Sequence, residues 1–225
     1  MFIPIDFGDF EKRTGIRKKD FPVSGWEKAE RIFALRDIAK VLDIRAMPRE
    51  YLLRLLLSVT LVGDGKTRVY EDSTIELLRA DPNGLLIGQT FLLRNKYRGI
   101  LESFPRIFEG FCEIRGVAKL PARLVLGETT EGELVIAHYI PAILEGNDIS
   151  HKLILLDGIH RNFLVKSVGT TLEAIVVHGV SVPFPARPME WESISVVDEK
   201  PPKEERFFDL KPELFRDLKS IGIDG

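Results

Sequence analysis

Leu153-Ile154-Leu155-Leu156-Asp157-Gly158-Ile159-His160-Arg161-Asn162-Phe163-Leu164-Val165-Lys166-Ser167-Val168-Gly169 changes character at its Asp-Gly pair. The four apolar residues that open it suit a buried strand. Beyond the pair, Phe163, Leu164 and Val168 return at helical spacing, and the glycine at 158 permits the tight turn between the two halves. A strand that turns sharply into a helix presents backbone N–H groups and the positive end of the helix dipole. That arrangement favours an anion, most often a phosphate. Arg161 stands where its guanidinium can add a bidentate contact. The competing reading has Asp157 as a simple helix cap and Arg161 in solvent.

Working outward, Leu172 to Val177 reads as a closing strand, and Glu133 to Ile140 and Pro121 to Leu126 as two earlier ones around a Gly127–Gly132 turn. A loop is expected around Pro141 and Gly146-Asn147-Asp148. Upstream, Thr74 to Leu78 is a strand, Asp81-Pro82-Asn83-Gly84 a turn, and Leu85 to Leu93 an apolar run. Arg94 to Phe108 has helical spacing, with Pro105 as a break. The N-terminal third reads as helical from Glu27 to Leu42 and again from Pro48 to Leu57. A hairpin follows, built from Ser58–Val62 and Thr67–Tyr70 around Gly63-Asp64-Gly65-Lys66. Helix, helix and hairpin, with Arg45, Arg49, Arg54, Lys66 and Arg68 spread along them, have the outline of a winged helix and suggest DNA. The alternative is a helical cap packed on the main domain, since the supposed recognition helix is mostly leucine. Gly63–Thr67 is no P-loop, because Thr60 stands where the first glycine is needed and a strand follows the lysine.

Composition narrows the class. The chain has 225 residues, 44% hydrophobic and 29% charged, enough for one sizeable core with an appended subdomain. A net charge of -2 excludes a global basic field, which leaves nucleic acid to a local patch such as Arg17-Lys18-Lys19. The single cysteine, Cys112, excludes an internal disulfide framework. The Met1–Asp6 start lacks a signal-peptide layout, and no apolar run is long enough to span a bilayer, so a cytoplasmic setting and no membrane partner are expected. His138, His151, His160 and His178 follow no zinc spacing, so no metal ligands are assigned.

The order strand, helix, strand, strand, Asp157-Gly158-Ile159-His160-Arg161, helix, glycine, strand resembles the ParB/sulfiredoxin superfamily over about Thr74 to Val177. Tyr97–Phe104 looks like the helix that precedes the central strand in such proteins. The resemblance implies an α/β (α+β) protein with a ParB/sulfiredoxin-like mixed-sheet core. It implies that Gly158, His160 and Arg161, with Asn162 beside them, hold the phosphates of a nucleotide (ATP, ADP or CTP, with Mg²⁺) or of another phosphorylated small molecule. It leaves the reaction open, because members differ. Sulfinic acid reduction needs a cysteine directly before the histidine, where this chain has Ile159. CTP-dependent DNA clamping needs a second arginine-rich motif and a helix-turn-helix, and the Pro-rich stretch after Val182 offers neither. A kinase or NTPase needs a carboxylate, for which Asp157, Glu102 and Glu145 are candidates alongside His160. Glu145 has the simpler reading of a surface loop acid.

The expected organisation is a helical N-terminal subdomain with hairpin (1–72), the core (73–182), and an extended Pro-rich tail ending in a short helix over Pro212–Leu218 (183–225). The leading functional expectation is nucleotide or phosphate binding with phosphoryl transfer or hydrolysis. The alternatives are a DNA-associated regulator using the N-terminal helices, and a core that keeps the fold without catalysis.

Overall fold

The computed structural model describes residues 2–107, 121–146 and 151–223, without the side chains of 103–107. Cys112, Asn147 and Asp148 therefore lie outside the described residues. In chain order the first elements are β1 (Ile5–Asp6), α1 (Phe7–Thr14), β2 (Arg31–Phe33), β3 (Lys40–Ala46), α2 (Arg49–Leu57), β4 (Thr74–Ala80), β5 (Leu86–Ile87), β6 (Phe91–Leu93) and α3 (Arg94–Ile107). They are followed by β7 (Arg123–Glu128), β8 (Leu134–Tyr139), β9 (Ala142–Gly146), β10 (Leu153–Asp157), α4 (Ile159–Ser167), β11 (Leu172–His178) and β12 (Ser195–Val197). The protein is thus mixed α/β, with two five-stranded mixed sheets among the described residues.

The chain divides into two compact units, each assembled from separated segments. The first comprises Met1–Glu71, Pro121–Ile140 and Arg216–Gly225. Its sheet has the order β1-β2-β8-β7-β3, with β2 parallel to β8 and the other pairs antiparallel. Here the helical expectation for Glu27–Leu42 fails. Ile32 is fully buried opposite Ile136 and Ala34 is buried two residues on, which is the period of a strand. Lys40–Ala46 then pairs along β7 from Glu128 to Arg123. Sheet pairing outweighed a 3.6-residue pattern that the short apolar runs imitated.

The winged-helix outline goes with that helix, since β2 and β3 stand where its first helix was expected, and the DNA-associated alternative keeps only its arginines as motivation. The helix expected from Pro48 forms as α2, but Tyr51, Leu52, Leu55 and Leu56 are all buried, so its broad apolar face is core. The hairpin is reduced to a Thr60–Arg68 bridge with flanking hydrogen bonds. Its turn is closed by Asp64, which accepts from the Lys66 and Thr67 N–H groups and the Thr67 hydroxyl.

The second unit comprises Asp72–Leu120 and Pro141–Phe215. Its sheet runs β4-β11-β9-β10-β5: β4 and β10 lie antiparallel to β11 and β9 respectively, while β11–β9 and β10–β5 are parallel. The expected loop around Pro141 is instead β9, the central strand. Pro141 and Gly146 bracket a short run whose own residues, Ala142 to Glu145, are all buried. Ala142, Leu144, Leu155, Ala174 and Val176 pack with Val165 of α4 in one cluster. Pro105 does not break α3, which runs on to Ile107.

The stretch after Val182 is not a loose tail. β12 pairs with β6, Met189 bridges Ile87, and the buried Trp191 donates its indole N–H to the Pro82 carbonyl at 2.7 Å. The helix expected over Pro212–Leu218 is a single 3₁₀ turn, Pro212–Leu214. Further helix is precluded because Arg216 bridges Leu61 and the Asp217 N–H goes to the Thr60 carbonyl.

Candidate functional site

The strand–Gly–helix passage forms where the sequence places it. Gly158 has φ +91°, a conformation that costs an L side chain strain. A Cβ there would lie 3.1 and 3.2 Å from the Cβ and Cα of Ala142, and 3.0 Å from an Arg161 guanidinium nitrogen. The first intrahelical bond of α4 runs from the Asn162 N–H to the Gly158 carbonyl at 3.0 Å. The N–H groups of Ile159, His160 and Arg161 precede it and so have no intrahelical acceptor.

Asp157 does not cap this helix: no side chain does, and no acid stands in its first turn. Its carboxylate lies 3.7 Å from Arg161 Nη2, with side-chain exposures of 9% and 14%. That pair orients the guanidinium at the helix start. Asn162, expected to face a ligand, is instead fully buried. It donates its side-chain amide to the Gly158 carbonyl at 2.9 Å, and its Oδ1 has no hydrogen-bond partner among the described residues. It braces the turn from inside.

His160 is engaged by a distant segment. Its Nε2 accepts the backbone N–H of Leu93 at 3.0 Å, which puts the ring proton of the neutral imidazole on Nδ1. Burial, with the Lys96 charge as a smaller contribution, lowers its pKa to about 4. Leu93 ends β6 and immediately precedes α3. One turn further into each helix, the rings of Tyr97 and Phe163 meet edge-on at 6.0 Å. The two contacts advance together along both helices, so α3 and α4 lie side by side with their starts adjacent. The first turn of α3 also lacks an acid. It carries Arg94, whose Nε donates to Asp198 at 2.8 Å, and Lys96.

The remaining candidates are dispersed. Glu145 is no surface acid: it is 2% exposed on β9, two residues along from Ile143, the strand partner of Asp157. Glu102 is exposed in the second half of α3. His138 is buried in the first unit with its Nε2 2.8 Å from the Tyr51 hydroxyl, and His178 lies 3.8 Å from Glu76. A depression of about 500 Å³ in the first unit is lined by Arg31, Arg36, Asp37, Glu131 and Glu133 among others. Its charges are largely matched, with Arg31–Glu133 at 3.4 Å and Arg36–Asp37 at 3.8 Å.

Sequence reasoning missed the start of α3 as part of the site. The signal was available, since Phe91-Leu92-Leu93 followed by Arg94 repeats the apolar-run-into-basic-helix pattern of the focal stretch. Compared with known proteins, the chain matches no family model, no curated protein and no solved structure.

Proposed function

We propose that the chain is a ParB/sulfiredoxin-like protein that binds a nucleotide, or another phosphorylated small molecule, at the paired starts of α3 and α4. The observation that carries this reading is the adjacency of two helix N-termini with no acid in either first turn. Side-by-side parallel dipoles repel, each end being equivalent to about half a positive charge, and an anion placed between the starts relieves both. The backbone N–H groups of Ile159 and His160, together with Arg161 held by Asp157, supply the donors such an anion needs.

ATP, ADP and CTP with Mg²⁺ are the ligands to try first. Asp157, 3.7 Å from Arg161 Nη2, is the carboxylate at the helix start, and Glu145 lies on the neighbouring strand opposite Ile154. Phosphoryl transfer or hydrolysis is the reaction class that such a site serves, because it rests on positioning and electrostatics. Sulfinic acid reduction is not proposed, since Ile159 replaces the needed cysteine and packs against the apolar cluster.

Titration of the three nucleotides with Mg²⁺ against wild type and Arg161→Ala tests the proposal. Binding by wild type that weakens about tenfold or more in the variant is expected, in line with loss of a charge-assisted bidentate contact. Absence of binding by every nucleotide, or binding indifferent to Arg161, would sink it.

A further inference from the structure

His160 carries an obligation that a phosphate ligand or a proton-transfer group could not meet. Its Nε2 lone pair is spent on the Leu93 N–H, 67 residues away in sequence, at the point where β6 becomes α3. That N–H belongs to a helix entrance, where donors have no intrahelical carbonyl, and it is here satisfied by a side chain of the neighbouring helix. A proton on Nε2 would remove the acceptor and add a cation among charges of the same sign. The Lys96 charge acts on it from α3, while Arg94 on that helix is paired with Asp198 and Arg161 on its own helix is paired with Asp157.

We propose that His160 is a positioning residue: its Nε2 clasps the entrance of α3 to the entrance of α4 and thereby sets the spacing of the two helix starts. What that spacing serves rests on the nucleotide reading above; the clasp itself does not. The Tyr97–Phe163 contact holds the helices together one turn in, and the His160–Leu93 bond fixes the end where an anion sits. Ligand contact is left to the N–H groups of the two helix starts and to Arg161.

The chemistry distinguishes a clasp from a ligand. A glutamine places a carbonyl oxygen close to where histidine places Nε2, so it can accept the Leu93 N–H without being able to titrate or carry charge. An asparagine is too short and an alanine has no acceptor. Full-length wild type, His160→Gln, His160→Asn and His160→Ala are compared in two ways. The first needs no ligand. In ¹⁵N-histidine spectra of wild type, His160 is expected as the Nδ1–H tautomer. The Leu93 amide should exchange slowly in wild type and His160→Gln, and about tenfold or more faster in His160→Asn and His160→Ala.

The second is titration with ATP and CTP plus Mg²⁺. His160→Gln should bind within about threefold of wild type and His160→Ala about tenfold or more weakly. Wild-type affinity should be unaffected by the ionisation of His160 between pH 8 and 6, where the ring stays neutral. An Nε2–H tautomer, or a Leu93 amide whose exchange ignores these substitutions, overturns the clasp. If His160→Gln loses binding as fully as His160→Ala while protecting Leu93, His160 is a ligand or acid–base group and the positioning role is wrong. Should no nucleotide bind even wild type, the nucleotide reading fails, and the tautomer and exchange data still decide the clasp.

Discussion

Gly158 is held to glycine by two independent constraints, a left-handed φ of +91° and a missing Cβ that would press on Ala142 and Arg161. Gly158→Ala is expected to lose about 1–3 kcal/mol in urea unfolding, because strain at positive φ and the close contact with backbone add together. It should also weaken nucleotide binding, since the helix start is displaced. A loss below about 0.5 kcal/mol would show that the turn relaxes freely and that the constraint is misjudged. Gly158 and Arg161 were legible from the sequence because their roles are local: a turn glycine and a cation within the first helical turn. His160 and Glu145 were not. The partner of His160 is Leu93, and the burial of Glu145 follows from the place of β9 between β10 and β11. Neither fact is encoded in neighbouring residues.

At the scale of elements, the sequence identified those whose flanks agree with their interiors. β10 and α4 have an apolar run, a glycine and helical spacing all pointing one way, and β11, β8 and α2 are similarly consistent. β9 was hidden because Pro141 and Gly146 bracket only four residues, and β2 and β3 because short apolar runs fit two periods equally well. The segment after β11 shows how a Pro-rich composition can conceal docking. Trp191 is 5% exposed, bonds the Pro82 carbonyl, and lies 6.3 Å from the Phe163 ring of α4. Trp191→Ala is therefore expected to cost about 3–5 kcal/mol, as for a large buried aromatic, and Trp191→Phe only about 1–2 through the lost hydrogen bond and volume. Chemical unfolding of both variants checks this. A loss under about 1 kcal/mol for the alanine would mean that the segment does not help hold α4.

The whole molecule should register its buried histidines as acid sensitivity in a defined window. His138 is buried beside the Tyr51 hydroxyl, and desolvation lowers its pKa to about 4, while backbone near Ile221 and Gly222 acts in the opposite direction. His160 shifts the same way. Each folded-state pKa lies below the unfolded value of about 6.5, so the unfolded chain takes up protons first as pH falls. Their contribution is complete above about pH 7 and is lost between about 6.5 and 4. For His138 the loss is on the order of 3 kcal/mol, with a smaller one for the half-buried His160. Carboxylates held low act at more acid pH: Asp20, through the Arg17 N–H and Arg54, contributes above its ordinary value and is lost only as pH falls below it. Urea midpoints measured from pH 8 to 4.5 should be level at first and then decline below about 6.5. Midpoints that stay constant or rise down to pH 5 would contradict the burial of both rings.

The central claim, that α3 and α4 present their starts to one anion, is tested most directly by amide spectroscopy of the ¹⁵N-labelled full-length protein during titration with ATP or CTP and Mg²⁺. The amides of Ile159, His160 and Arg161 should shift together with those of Arg94–Lys96, along a single binding curve, and in Arg161→Ala the same shifts should need about tenfold or more nucleotide. Perturbations confined to other parts of the chain, or a response from one helix start without the other, would contradict it.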